Sequence, residues 1–154
     1  MVENAEPLVR ECLRLPAGSA KVFHLFRLRC AEDTPILLED TYIPNYLCPG
    51  IETVNFQTAS LYQTLIMQYG LNLYHATETI EAICVTGKTA DLLQCEAGNP
   101  GYRITRISHL ANGNPFEYTS SITNANRCMF QLELYQNNKT TKNDMSFDRR
   151  VNLL

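Results

Sequence analysis

The chain has 154 residues with 13 basic and 16 acidic side chains, a formal net charge of −3. Apolar residues make up 45% and charged residues 19%, which describes one globular domain rather than a disordered segment. The acidic balance argues against nucleic-acid binding by this segment alone, and apolar runs as short as Pro35–Leu38 leave nothing to span a membrane as a helix.

The opening Met1–Glu6 is acidic where a signal peptide would be basic and then apolar. Cys12, Cys30, Cys48, Cys84, Cys95 and Cys128 form no CxxC pair. They are expected to be reduced thiols of a cytoplasmic protein, where the sequon Asn138-Lys139-Thr140 has no meaning. Residues 1–20 are expected to hold the end of an interdomain linker and a short first helix.

Residues 21–31 are rich in β-branched and aromatic side chains and predict a strand. Glu32–Pro35 predicts a turn and Ile36–Ile43 the returning strand of a hairpin. Pro44, Pro49 and Gly50 break the pattern into a loop. A helix is expected at about 58–69, where Leu61, Leu65 and Tyr69 recur every fourth residue and Gly70 stops it. Leu71–Val85 favours a strand, and 88–94 a short helix. Tyr102–Leu110 and Pro115–Thr123 predict a second hairpin around Asn112-Gly113, with a last strand at 129–135. From Gln136 the chain reads as a polar tail, loose until Phe147.

The two hairpins resemble each other at an offset of 79–80 residues. Leu13–Gly18 matches Leu93–Gly98, Arg27 falls where Arg106 falls, and Pro35 where Pro115 falls. Two similar units sharing one antiparallel sheet would give an α+β layout.

Side chains alternate along a strand, so Arg27 and Arg29 share a face, roughly 6–7 Å apart. A three-residue loop at Glu32–Thr34 pairs Ala31 with Pro35 and sets Arg27 opposite Glu39. Two guanidinium forks beside a carboxylate suit an anionic, hydroxylated small molecule; the same residues also suit an exposed ion-pair ladder. In the second hairpin Ala111 pairs with Asn114, which places Arg106, Ser108 and Glu117 on one face. Ser60 and Tyr62 stand at the start of the 58–69 helix, where free N–H groups favour anions and where Ser60 also suits a helix cap.

Sharper motifs fail. Gly87-Lys88-Thr89 lacks the glycine that a phosphate-binding loop needs at Ala82. His24, His75 and His109 have no metal-ligand spacing, and no GxSxG elbow is present. No cofactor is expected.

An ordered set of motifs resembles the UTRA domain, the effector-binding domain of HutC-type GntR bacterial transcription regulators. Val22–Arg29, Asp33-Thr34-Pro35, Glu39 and Tyr42-Ile43-Pro44 resemble its opening. Ser60-Leu61-Tyr62 with Tyr69-Gly70, Ala90–Leu93, Pro100, Arg103–Arg106 and Gly113–Tyr118 follow in order. The resemblance covers residues 13–136. It implies an antiparallel α+β fold like that of chorismate lyase and a pocket for a small metabolite, a phosphosugar, amino sugar, sugar–amine conjugate or organic acid. Carried over by motif, the ligand-binding residues are Arg27, Arg29, Glu39, Ser60, Tyr62 and Glu117, with Arg106, Ser108 and Thr123 behind them. Members commonly carry Tyr-Arg-x-Asp where this chain has Thr123-Asn124-Ala125-Asn126, so Thr123 replaces an aromatic residue that often closes over the ligand. The resemblance also implies a homodimer that meets DNA only through a winged helix-turn-helix domain outside this chain. A chorismate lyase-like enzyme is the alternative that the shared fold suggests.

Overall fold

A computed structural model describes residues 1–135 and 146–152, with side chains through residue 131. The first half folds as strand β1 (Val2–Asn4), helix α1 (Pro7–Cys12) and a hairpin of β2 (Lys21–Ala31) and β3 (Thr34–Pro44). The second half repeats this as β4 (His75–Cys84), helix α3 (Gly87–Leu92), β5 (Pro100–His109) and β6 (Pro115–Asn124). Helix α2 (Leu61–Tyr69) lies between the halves. Strands β3 and β6 pair antiparallel at the centre, giving one sheet in the order β1-β2-β3-β6-β5-β4.

The repeat expected at 79–80 residues is visible in the backbone. Arg14 and Gln94 both take a left-handed φ, of 47° and 48°, after the first helix of each half. Gly18 and Gly98 follow at 91° and 93°, values that a side chain would strain. Each half then closes its strand pair into a short 3₁₀ turn, at Asn45–Leu47 and Ala125–Arg127.

Both hairpins correct the expected loops by one residue. Ala31 pairs with Thr34, not Pro35, so the first turn has two residues, with Glu32 in the left-handed region. A bulge between Arg29 and Cys30 restores the register, and Arg27 lies opposite Glu39 as expected. In the second hairpin Leu110, rather than Ala111, bonds Asn114 across the turn. A bulge between Ser108 and His109 then sets Ser108 opposite Glu117 and Arg106 opposite Thr119. Val2–Asn4, expected as linker, is a strand on the edge of the sheet. Helix α2 starts at Leu61 rather than 58, because Ser60 caps it.

Much of the segment read as a polar tail, residues 136–145 and 153–154, lies outside the described residues. Within that segment Ser146–Asn152 forms strand β8, paired with β7 (Met129–Tyr135) as a separate ribbon.

The two sheet faces are covered differently. On one face α1 packs Val9 and Leu13 against Val22 and Tyr118, and α3 packs Ala90 and Leu93 against Leu38 and Val85. On the other face α2 brings Leu61 and Leu65 onto Phe23, Ile43 and Phe116. That single helix covers one end of the face only. Beyond it, the β3 and β6 side chains on that face are polar apart from Leu37.

Gly101 sits where β5 crosses behind Thr123. A Cβ there would lie 2.5 Å from Val85 Cγ2 and 2.7 Å from the Thr123 carbonyl oxygen, a backbone atom with little room to yield. Gly101→Ala is expected to lower stability by about 1–3 kcal/mol in urea unfolding, the usual cost of overpacking.

Candidate functional site

The part of the sheet that α2 leaves uncovered floors a cavity of about 1360 Å³. Its floor is set by alternation on paired strands: Glu39 lies across from Ser121 and Leu37 from Thr123, while Thr41, opposite the lining Thr119, does not itself line the cavity. Thr41, Glu117, Thr119, Ser121 and Thr123 are all buried, an unusual run of polar groups for the middle of a sheet. The segment Val54–Ser60, leading into α2, forms one wall.

At one end Arg27 holds Glu39. Its Nε donates to Glu39 Oε1 at 3.1 Å and an Nη group donates to the same oxygen. Arg29, two residues on, is exposed at the rim and makes no ion pair among the described residues. At the other end five groups are linked by hydrogen bonds. Arg106 Nε donates to Glu78 Oε1 at 2.7 Å, and Arg106 Nη1 donates to the Tyr62 hydroxyl at 3.3 Å. Tyr62 in turn donates to Glu117 Oε2 at 2.5 Å, and Ser108 donates to the same oxygen at 2.5 Å. Burial, and then the Glu117 carboxylate, push the Tyr62 hydroxyl up to about 12. Burial pulls the Arg106 guanidinium down, but its bonds to Tyr62 and Glu78 outweigh that and raise it.

Of the nine expected site residues, all except Ser108 line the cavity. Ser108 stands behind Glu117 and orients it. Ser60 caps α2, accepting from Gln63 N at 3.4 Å, and also lines the cavity. Thr123 is 1% exposed, and its hydroxyl is committed to the Ile36 carbonyl oxygen at 2.7 Å. It therefore pins β6 to β3 rather than offering the ligand a free donor.

Sequence reasoning missed Glu78, Thr119, Ser121 and the wall from Val54 to Ala59. The every-second-residue series Glu117, Thr119, Ser121, Thr123 was the available signal, since a buried strand seldom keeps one polar face. His24 lies on the opposite face, stacked on Tyr42 at 4.4 Å and bonded to Asp40 and Glu3, in keeping with a structural role. No group of three or more His, Cys, Asp or Glu suited to a metal occurs among the described residues, and no described helix is long and apolar enough to cross a membrane.

An open polar hollow floored by an antiparallel sheet is the kind of site that holds a small polar molecule. The chain belongs to the UTRA domain family, the effector-binding domain of GntR-type transcription regulators, whose model matches residues 2–128. It is 27% identical over 123 residues to a probable fructoselysine utilization operon transcriptional repressor of Escherichia coli strain K12, covering 80% of this chain and 50% of that protein. The HTH-type transcriptional repressor NagR of Bacillus subtilis is 27% identical over 111 residues, 72% of this chain and 45% of that protein. A crystal structure of a GntR-family transcriptional regulator from Enterococcus faecalis superimposes with a TM-score of 0.78 at 28% identity, covering 86% of this chain and 94% of that one. The chain thus spans about half the length of the curated relatives it matches. That these relatives regulate transcription favours the sensor reading over a chorismate lyase-like enzyme.

Tyr62→Phe leaves Glu117 short of one donor and is expected to cost about 1–3 kcal/mol at neutral pH. Because folding raises the Tyr62 pKa from 10.0 to about 12, the hydroxyl's contribution is intact below pH 10 and fades as pH approaches 12. The stability gap between wild type and Tyr62→Phe, measured by urea unfolding, should narrow across that window.

Proposed function

We propose that this domain is the sensing half of a cytoplasmic, HutC-type bacterial regulator and carries no catalytic activity. The cavity takes a small metabolite, anionic or sugar-derived. Arg27, Arg29, Glu39, Ser60, Tyr62 and Glu117 contact it, while Arg106, Ser108 and Thr123 hold those groups in place. The observation that carries this reading is the polar floor. Hydroxyls and carboxylates gathered beneath one open hollow give a small polar ligand a set of hydrogen-bonding partners that an apolar floor would not.

The N-terminal end of α2 and the exposed guanidinium of Arg29 suit an anionic group. The hydroxyl-lined floor suits a polyol. The chain dimerises and is joined, in the whole protein, to a winged helix-turn-helix domain that makes the DNA contacts. Ligand binds one arrangement of the dimer better than the other and shifts the population between them. A coupling of about 1–3 kcal/mol is enough for useful regulation.

Isothermal titration against a panel of anionic and sugar-derived metabolites tests this. One member should bind and, at a hundred times its Kd, stabilise the fold by about 2.7 kcal/mol. Arg27→Ala should weaken that binding by about 1.5–3 kcal/mol, the worth of a charged hydrogen bond. A panel without a binder, or an unaffected Arg27→Ala variant, refutes the proposal.

A further inference from the structure

The three histidines of the chain are not equivalent. His24 has both ring nitrogens engaged, Nδ1 by Glu3 and Nε2 by Asp40. His75 and His109 are far apart in the sequence, yet they are direct cross-strand partners, the first residue of β4 and the last of β5. Tyr74 N donates to the His109 carbonyl oxygen at 3.0 Å, where the chain arriving from α2 joins the sheet. By alternation the two rings fall on the face opposite Glu78 and Arg106, away from the hollow.

Neither ring is held by the protein's own polar groups. The His75 imidazole is exposed, and no hydrogen bond or ion pair among the described residues engages it. His109 is half-buried, and its Nδ1 is buried without a partner. An orphaned nitrogen of this kind is costly for a histidine that serves only the fold. What the pair does have is spacing. The two ring centres stand 5.2 Å apart. A metal bound about 2.0–2.1 Å from an imidazole nitrogen lies about 3.2 Å from that ring's centre, so a tetrahedral angle between two such ligands sets the centres about 5.2 Å apart.

We propose that His75 and His109 together bind a divalent transition-metal ion, with water in its remaining positions. Imidazole suits zinc, nickel and copper, and strands place two ligands more precisely than loops do. Two protein ligands make this an open, exchangeable site rather than the closed kind that holds a structural metal. The exposure of His75 leaves the ion a way in and room for its waters. The ion clasps the β4–β5 ladder at its open end, and that ladder carries Glu78 and Arg106 further along. The site is separate from the cavity and does not depend on what the cavity binds.

Zinc chloride is the probe. The whole 154-residue chain, free of any affinity tag, is titrated with it while the imidazole nitrogen signals are followed by heteronuclear NMR. The ring signals of His75 and His109 should shift together, while those of His24, whose nitrogens are already taken, stay in place. Zinc held by cysteine thiols alone leaves all three rings where they were, so the pattern separates the two kinds of site. His75→Ala removes an exposed side chain and should weaken zinc binding at His109 by about tenfold or more. His109→Ala should do the same at His75; if that variant fails to fold, His75→Ala decides alone. Rings unmoved by millimolar zinc, a shift of only one of the pair, or an affinity at His109 that survives His75→Ala overturns the proposal. The effector reading is judged separately, by the metabolite titration.

Discussion

The antiparallel pairing of β3 with β6 is the constraint on which the rest of the molecule depends. It joins the two halves, and its register decides which side chains look into the hollow. Slipping it by one residue would turn Glu39, Thr41, Thr119 and Ser121 toward α1 and α3, and bring Leu38 and Ile122 to the cavity. The apolar packing of Leu38 with Val85 and Leu93 on the far face opposes such a slip. The polar floor is therefore held in place by the hydrophobic contacts behind it. Thr123 adds a direct tie, from its hydroxyl to the Ile36 carbonyl.

The groups around the hollow trade stability for readiness. Glu78, Arg106, Tyr62 and Glu117 link the edge strand, the two strands of the second hairpin and α2 through one chain of hydrogen bonds. Such a chain stiffens the elements it joins when every member is satisfied, and it is costly when one is not. Here the bonds from Tyr62 and Ser108 meet on one oxygen of Glu117. A helix that covers the sheet at one end, and is tied to it through that residue, is placed to feel what happens there.

Much of the fold was legible because its signals are local. Gly70 ends α2 where the four-residue recurrence of Leu61, Leu65 and Tyr69 stops, and Asn112-Gly113 marks a turn by its chemistry. The pairing of Arg27 with Glu39 was reached through a loop one residue too long. The error vanished because a bulge at Arg29 and Cys30 absorbs the difference. Bulges leave no composition signal at that position, so only coordinates reveal them. Val2–Asn4 is too short for any periodicity, and β8 follows a polar stretch that reads as its continuation. At the site, Arg27, Glu39 and Glu117 stood out because charge is rare on a half-buried strand. Thr119 and Ser121 did not, because threonine is an ordinary strand residue whichever way it points. Glu78 lies on an edge strand exposed along most of its length, where a carboxylate attracts no notice.

The internal duplication is incomplete in one respect. Each half supplies a helix for the same back face, but α2 and the segment leading into it follow the first half only; after Ala125–Arg127 the second half runs directly into β7. The scaffold is doubled while its cover is single, so the described residues enclose one such hollow astride the pseudo-dyad rather than two related by it. Among the described residues a ligand therefore has one such hollow to occupy, and cooperation between two occupants of such hollows would call for a second copy of this domain.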